Sequence, residues 1–289
     1  MFGQHRLDRR HIGALLSRMA CGALVFIASM AKADEALEVT WTRPYAVESG
    51  SDGRRNTFDD GTREWLINHL PGYKHTITVA TALRTMALLR SEDAVCYPTL
   101  VKTPERLEFV AFSDPLYWSV PARVIALASS AGRFQPLLGH DGAIPFARLL
   151  ADRSFIGAHE VGRAFTPAIQ GQLDRTGDND HLIGGNKGVS IYALLATSRV
   201  DWVLGYVTDA YETFLVRYPD LSLTSFAIAG SDQPLEVFAG CSKTAHGIAI
   251  VGAIDTELRQ HPGGYTLQSL YEQRLDPDTR EWLHKAIAK

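Results

Sequence analysis

The mature part of the chain alternates short strand patterns with helix patterns, and this rhythm is the feature that most constrains its fold. Apolar and polar residues alternate over 37–41, helical spacing follows over 62–70, a second strand pattern covers 73–80, and Thr81 begins another helix. A strand–helix–strand–helix order is typical of an α/β domain, because each helix covers a face of the sheet.

A second unit of about 100 residues with the same rhythm follows in the middle of the chain. Strand patterns cover 120–128, 154–158 and 199–206, and helix patterns cover about 161–173 and 189–198. No Pro/Gly/Ser-rich linker separates this unit from its flanks. Helical spacing at Ile248, Val251, Ile254 and Leu258 and two short helices end the chain, the last capped by Asp276.

We therefore expect two α/β lobes, with the second inserted into the first. Lobe 1 is predicted to contain residues 34–120 and 225–289, and lobe 2 residues 121–224.

The first 33 residues predict a cleaved signal peptide and hence a periplasmic protein. Arginines precede an apolar run of about a dozen residues, which is shorter than the ~20 that a membrane span needs, and Ala31-Lys32-Ala33 supplies an A-x-A cleavage site. A retained N-terminal anchor is the alternative. Cleavage after Ala33 removes five of the 29 Lys/Arg and one of the 32 Asp/Glu, which leaves a net charge of −7. Such an acidic chain is poorly suited to binding nucleic acid through bulk charge, and we expect a monomer.

Two cysteines, Cys96 and Cys241, remain after the predicted cleavage. An even number of cysteines in an oxidising compartment favours a disulfide, and two buried free thiols are the alternative.

One stretch carries a recognisable motif. Residues 102–117 read Lys-Thr-Pro-Glu-Arg-Leu-Glu-Phe-Val-Ala-Phe-Ser-Asp-Pro-Leu-Tyr, and they resemble the T-x-E-R, five residues, F-[ST]-x-P-x-Y signature of family 3 extracellular solute-binding proteins. Arg199-Val200-Asp201 resembles the G-[RK]-[LV]-D turn of that family, and Gly263-Gly264-Tyr265 resembles its G-x-Y element. The resemblance implies a type II periplasmic-binding-protein fold and a receptor for an importer of polar amino acids.

The resemblance assigns Arg106 to a ligand carboxylate, since a guanidinium can donate two parallel hydrogen bonds. A surface ion pair with Glu105 or Glu108 is the alternative. Val101 stands where the family has a carboxylate-binding hydroxyl, and Thr99 is the candidate replacement; an ordinary strand threonine is the alternative. Tyr206 stands at the position of the family's acceptor for an α-ammonium. These two departures predict a ligand other than a standard amino acid.

Three more residues are candidate ligand contacts. Arg163 follows Gly162 where the family begins a helix, and a solvent-facing side chain is the alternative. Two arginines at one cleft would favour a ligand with more negative charge than an amino acid. Trp41 and Tyr45 follow the first strand, where the family places aromatic residues against the ligand; packing in the core is the alternative for both.

The predicted function is capture of a small anionic or zwitterionic molecule between the lobes, for an ABC importer. A ligand-sensing module that partners a membrane receptor is one alternative, and a dehydratase-like enzyme on the same fold is another. His159-Glu160 begins an H-E-x-x-H pattern, but Arg163 replaces its second histidine. Residues 184–188 lack the spacing of a phosphate-binding loop. We therefore expect no metal, no cofactor and no turnover.

Overall fold

The computed structural model describes residues 37–43, 57–177, 179–185, 190–261 and 265–288. The predicted signal peptide and Tyr45 lie outside these ranges. No helix within them is both long enough and apolar enough to cross a bilayer.

Ten strands and eleven helices are formed by the described residues. The strands are β1 (Glu38–Arg43), β2 (Lys74–Val79), β3 (Val95–Leu100), β4 (Val110–Ser119), β5 (Arg123–Leu127), β6 (Gly157–Glu160), β7 (Leu182–Gly185), β8 (Trp202–Gly205), β9 (Leu223–Phe226) and β10 (Leu235–Ser242). The helices are α1 (Phe58–His69), α2 (Ala82–Ser91), α3 (Pro104–Leu107), α4 (Ala131–Phe134), α5 (Phe146–Ala151), α6 (Pro167–Thr176), α7 (Ile191–Ala196), α8 (Val207–Arg217), α9 (Ala245–Gln260), α10 (Tyr265–Glu272) and α11 (Pro277–Ile287).

The strands form two mixed sheets of five. The first has the order β2-β1-β3-β10-β4, with β10 antiparallel to both of its neighbours, and the second has the order β7-β6-β8-β5-β9. We use lobe 1 for the first sheet with its helices and lobe 2 for the second sheet with its helices. The chain leaves lobe 1 after β4, completes the second sheet and returns in β10. The predicted two-lobed α/β fold with an inserted second lobe is confirmed, whereas the residue limits of the lobes stay a prediction.

Local sequence explains where several elements begin. Helix α1 starts four residues before the predicted position because Thr57 caps it: its hydroxyl accepts from the Asp60 backbone N–H, and the Asp60 side chain accepts from the Thr57 N–H. The predicted helix 161–173 begins only at Pro167, since proline is favoured in the first helical turn. Asp276 caps α11 as predicted.

The cysteines occupy facing positions on adjacent strands of lobe 1. Cys96 of β3 pairs in register with Cys241 of β10, and the two are joined by a disulfide. The predicted bridge is confirmed. Because 145 residues separate the two cysteines, this bond ties the returning segment to the first part of lobe 1 across the whole inserted lobe.

Trp41 is part of the core of the molecule. Its side chain is fully buried beside Val39 and Leu66, and its Nε1 donates a hydrogen bond to Nδ1 of His75, 3.0 Å away. It does not line the cleft described below. This placement agrees with the alternative of core packing, because the side chain lies within the apolar interior of the lobe; a ligand contact by Trp41 stays an untested prediction.

Candidate ligand-binding site

A cavity of about 70 Å³ lies between the lobes, at the carboxyl ends of parallel strands in both sheets. Open α/β sheets bind ligands at these ends, because the loops there leave a crevice. The polar and charged residues that line the cavity are Asp59, Thr85, Tyr97, Thr99, Arg106, Tyr117, Ser119 and Tyr271 from lobe 1, and Glu160, Arg163, Tyr206, Thr208 and Asp209 from lobe 2.

Arg106 reaches this cavity because of the local structure of the T-x-E-R segment. The Thr103 hydroxyl accepts from the Arg106 N–H at 3.2 Å and caps the short helix α3, with Pro104 in the first turn. The guanidinium Nη1 donates to the Val101 carbonyl at 3.0 Å, and Nη2 donates across the cleft to the Gly162 carbonyl at 3.2 Å. The side chain therefore bridges the two lobes.

Arg106 is a buried cation whose side-chain hydrogen bonds, within the described part of the chain, go to two backbone carbonyls. The residue is 8% exposed, and burial lowers the pKa of its guanidinium, an effect to which the nearby Arg163 adds. Among the described residues no carboxylate forms an ion pair with it, and Glu105 pairs with Arg90 instead, at 3.3 Å. The alternative of a surface ion pair with Glu105 or Glu108 is thus not what the structure shows.

Arg163 lines the same cavity but is neutralised by the protein. Its guanidinium pairs with Asp209, lies 3.8 Å from the Glu160 carboxylate and stacks over the Tyr206 ring at 5.0 Å. Burial opposes the charge, but Asp209 and Glu160 raise the pKa of Arg163 well above its ordinary value. The argument that two arginines favour a ligand of high negative charge does not hold, because lobe 2 supplies its own counter-charges.

Asp59 is a cleft residue that sequence reasoning missed. It lies in the first turn of α1 and accepts hydrogen bonds from Thr99 Oγ1 at 2.7 Å and from the Tyr97 hydroxyl at 2.8 Å. Burial, together with Asp209 from the opposite lobe, raises the pKa of Asp59 to about 6. The available signal was the acidic pair after Thr57, which is typical of a helix start.

The hydroxyl groups of the cleft differ in their hydrogen-bond partners. Thr99 donates to Asp59, so it supports that carboxylate. The Tyr206 hydroxyl donates to the Ala164 carbonyl at 2.8 Å. Thr85 of α2 is 1% exposed, lines the cavity, and its hydroxyl has no partner among the described residues. A buried hydroxyl without a hydrogen bond costs ~1 to 3 kcal/mol, which a ligand atom could recover.

Gly162 brings lobe 2 close to lobe 1 beside Arg106. Its φ is +89°, and a Cβ at this position would lie 3.1 Å from the Leu83 backbone nitrogen at the start of α2. Both the backbone conformation and the short distance favour glycine. The close approach of the two lobes at this point therefore depends on glycine at position 162.

No metal site is evident within the part of the chain that the structure describes: no three His, Cys, Asp or Glu side chains are grouped to hold an ion. His159 is half-buried, this partial burial lowers its pKa, and its Nδ1 has no partner in these ranges.

The chain has a two-lobed α/β fold with an inserted second lobe, and comparison with solved structures agrees with this fold. No protein-family model matches the sequence, and no curated protein matches it. A putative L-cystine ABC transporter protein from Listeria monocytogenes superposes with a TM-score of 0.60 at 16% identity, covering 84% of this chain and 97% of that one.

Two further solved structures show what proteins share this fold. The amino acid ABC transporter substrate-binding protein AbpA from Streptococcus pneumoniae, bound to L-arginine, has a TM-score of 0.58 at 18% identity and covers 83% of this chain and 94% of its own. The periplasmic domain of BvgS from B. pertussis has a TM-score of 0.57 at 15% identity; the match covers 87% of this chain and 46% of that one. The chain thus has the type II fold of amino-acid substrate-binding proteins.

Proposed function

We propose that this chain is a periplasmic solute-binding protein that captures a small zwitterionic or anionic molecule between its lobes. The observation that carries this proposal is Arg106, a buried guanidinium held by two carbonyls, with no carboxylate partner among the described residues. A buried charge without a counter-ion is costly, and a carboxylate is the partner whose geometry matches the guanidinium. The ligand would supply that carboxylate.

The charges around Arg106 favour a zwitterion over a simple anion. Asp59 and Asp209 approach the cavity from opposite lobes, and either carboxylate could accept a hydrogen bond from a ligand ammonium. Asp59 is the better candidate, because Asp209 is already paired with Arg163. The expectation that standard amino acids are excluded rested on Val101 and Tyr206. It stays untested, and the nearby carboxylates weaken its basis.

The size of the cavity limits the ligand in this closed arrangement. One water needs roughly 10 to 15 Å³ of such space, so the cavity of about 70 Å³ has room for several waters. That space suits a molecule with the bulk of a small amino acid. A larger ligand requires the lobes to close around it less completely.

For the partner, we propose an ABC importer, because two of the structures described above are ABC transporter proteins. A sensory role is the second candidate, favoured by the likeness to the BvgS periplasmic domain. The neighbouring genes discriminate between them: permease and ATPase genes indicate import, and a transmembrane kinase or cyclase gene indicates sensing.

The experiment is a thermal-shift screen of the purified protein against the standard amino acids, small non-standard zwitterions and short carboxylic acids. A ligand at 100 times its dissociation constant adds ~2.7 kcal/mol to the free energy of unfolding. We expect zwitterions to raise the melting temperature and simple carboxylates to do so less. The best ligand is then incubated with the protein and recovered. Chemical change at catalytic rates would contradict the proposal in favour of a dehydratase-like enzyme.

A further inference from the structure

One carboxylate joins the two lobes outside the cavity. Glu212 lies on α8 of lobe 2, and its Oε1 and Oε2 accept hydrogen bonds from the Phe58 backbone N–H of lobe 1, at 2.9 and 3.0 Å. Its Oε1 also lies 3.0 Å from Nη1 of Arg274, which follows α10 of lobe 1. The Glu212 side chain is 12% exposed and is not among the residues that line the cavity.

The contact with Phe58 affects the start of helix α1. Phe58 is the first residue of α1, a helix of 12 residues whose first amides lack partners within the helix. The Thr57 hydroxyl accepts from the Asp60 N–H, and the Glu212 side chain accepts from the Phe58 N–H. The next residue is Asp59, so the turn that presents Asp59 to the cleft is held from the opposite lobe.

We propose that Glu212 is an interlobe latch, a positioning residue that holds the lobes together and fixes the Asp59 turn without touching ligand. Opening of the cleft would separate Glu212 from both Phe58 and Arg274, whereas closing restores three contacts at once. The latch itself follows from contacts between protein groups. Its effect on ligand affinity rests on the proposed function. The apparent affinity decreases when a smaller fraction of the molecules is in the binding-competent closed form.

The surroundings of Glu212 couple the latch to pH. Burial raises the pKa of Glu212 to about 8; the Phe58 N–H and Arg274 act in the opposite direction, and Asp209 and Asp59 add to the rise. Burial raises the pKa of Tyr192 well above its ordinary value, and Asp209 and Glu212 add to that rise. In an open molecule water solvates the carboxylate and its pKa falls towards 4.5. Closing therefore takes up a proton, and the closed form becomes less favourable as pH rises from about 4.5 through 8.

Small-angle X-ray scattering of the unliganded protein, purified after export, tests the latch. Glu212→Ala removes all three contacts, and we expect the ratio of closed to open molecules to fall about tenfold to a hundredfold, with a larger radius of gyration. Glu272→Ala is the matched control: Glu272 is a carboxylate of similar exposure, 18%, whose His284 partner is 2.9 Å away in the same lobe. The control should keep the radius of the unmodified protein.

Glu212→Gln separates charge from shape, because the amide keeps an acceptor for Phe58 and does not titrate. Between pH 7 and 9, above the pKa of about 6 of Asp59, the radius of the unmodified protein should increase, and that of Glu212→Gln should stay constant. An unchanged radius in a folded Glu212→Ala protein overturns the proposal. If that variant does not fold, identical pH profiles for Glu212→Gln and the unmodified protein overturn it instead. Since no small molecule is added, failure of the latch leaves the proposed binding function untouched.

Discussion

Replacing Arg106 by lysine is the most direct perturbation of the proposed site. The substitution keeps the positive charge but replaces a planar group with several donors by a single nitrogen. In the structure Nη1 and Nη2 hold the Val101 and Gly162 carbonyls, which lie in different lobes. One ammonium cannot keep both carbonyls and also present two parallel donors to a carboxylate.

The magnitude follows from the bonds that are lost. A hydrogen bond to a charged group contributes ~1.5 to 3 kcal/mol, and lysine would lose one such bond to the ligand together with the bond that crosses to Gly162. We therefore expect the affinity to fall by about a hundredfold or more. Titration calorimetry with the strongest ligand from the thermal-shift screen measures this loss directly.

Arg90→Lys is the control. Arg90 is another arginine that is close in sequence, but its side chain is 58% exposed and it pairs with Glu105 at 3.3 Å. Exposed ion pairs contribute little, so this variant should bind as the unmodified protein does. If Arg106→Lys binds with unchanged affinity while it remains folded, the assignment of Arg106 as the carboxylate anchor is refuted.

Three further outcomes are expected. Thr85→Val should weaken ligand binding about fivefold or more without lowering the stability of the unliganded protein, because its hydroxyl has no partner among the described residues, and Thr85→Ser should restore binding. Calorimetry measures the affinities and thermal melting the stabilities. A large loss of stability in the unliganded Thr85→Val protein would contradict an unsatisfied hydroxyl. Because the pKa of Asp59 is about 6, affinity for a cationic or zwitterionic ligand should fall as pH drops through 6, and Asp59→Asn should remove this dependence in calorimetry at pH 7.5 and 5. Reduction of Cys96–Cys241 should lower the free energy of unfolding by up to about 5 kcal/mol, given the separation of 145 residues; equal urea midpoints with and without reductant would argue against this.

Features that depend on neighbouring residues could be predicted from the sequence. The alternation of strand and helix patterns follows from side-chain periodicity, and it gave the two-lobed fold. The cap by Thr103 and the proline at position 104 act within one turn, so the placement of Arg106 at the start of α3 followed from its motif. The bridge between Cys96 and Cys241 followed from their even number and the predicted compartment.

The tertiary structure decided which side chains share the cleft. Arg163 meets Asp209 across 46 residues of sequence, and Thr99 meets Asp59 across 40, so neither pairing has a local signature. Trp41 alternates along β1 like a residue that could face a ligand, but packing by both neighbouring strands and α1 buries it. Periodicity fixes which residues share one face of an element. The energy of burial and charge pairing among distant elements fixes what that face meets, and this can be known only when the whole chain is folded.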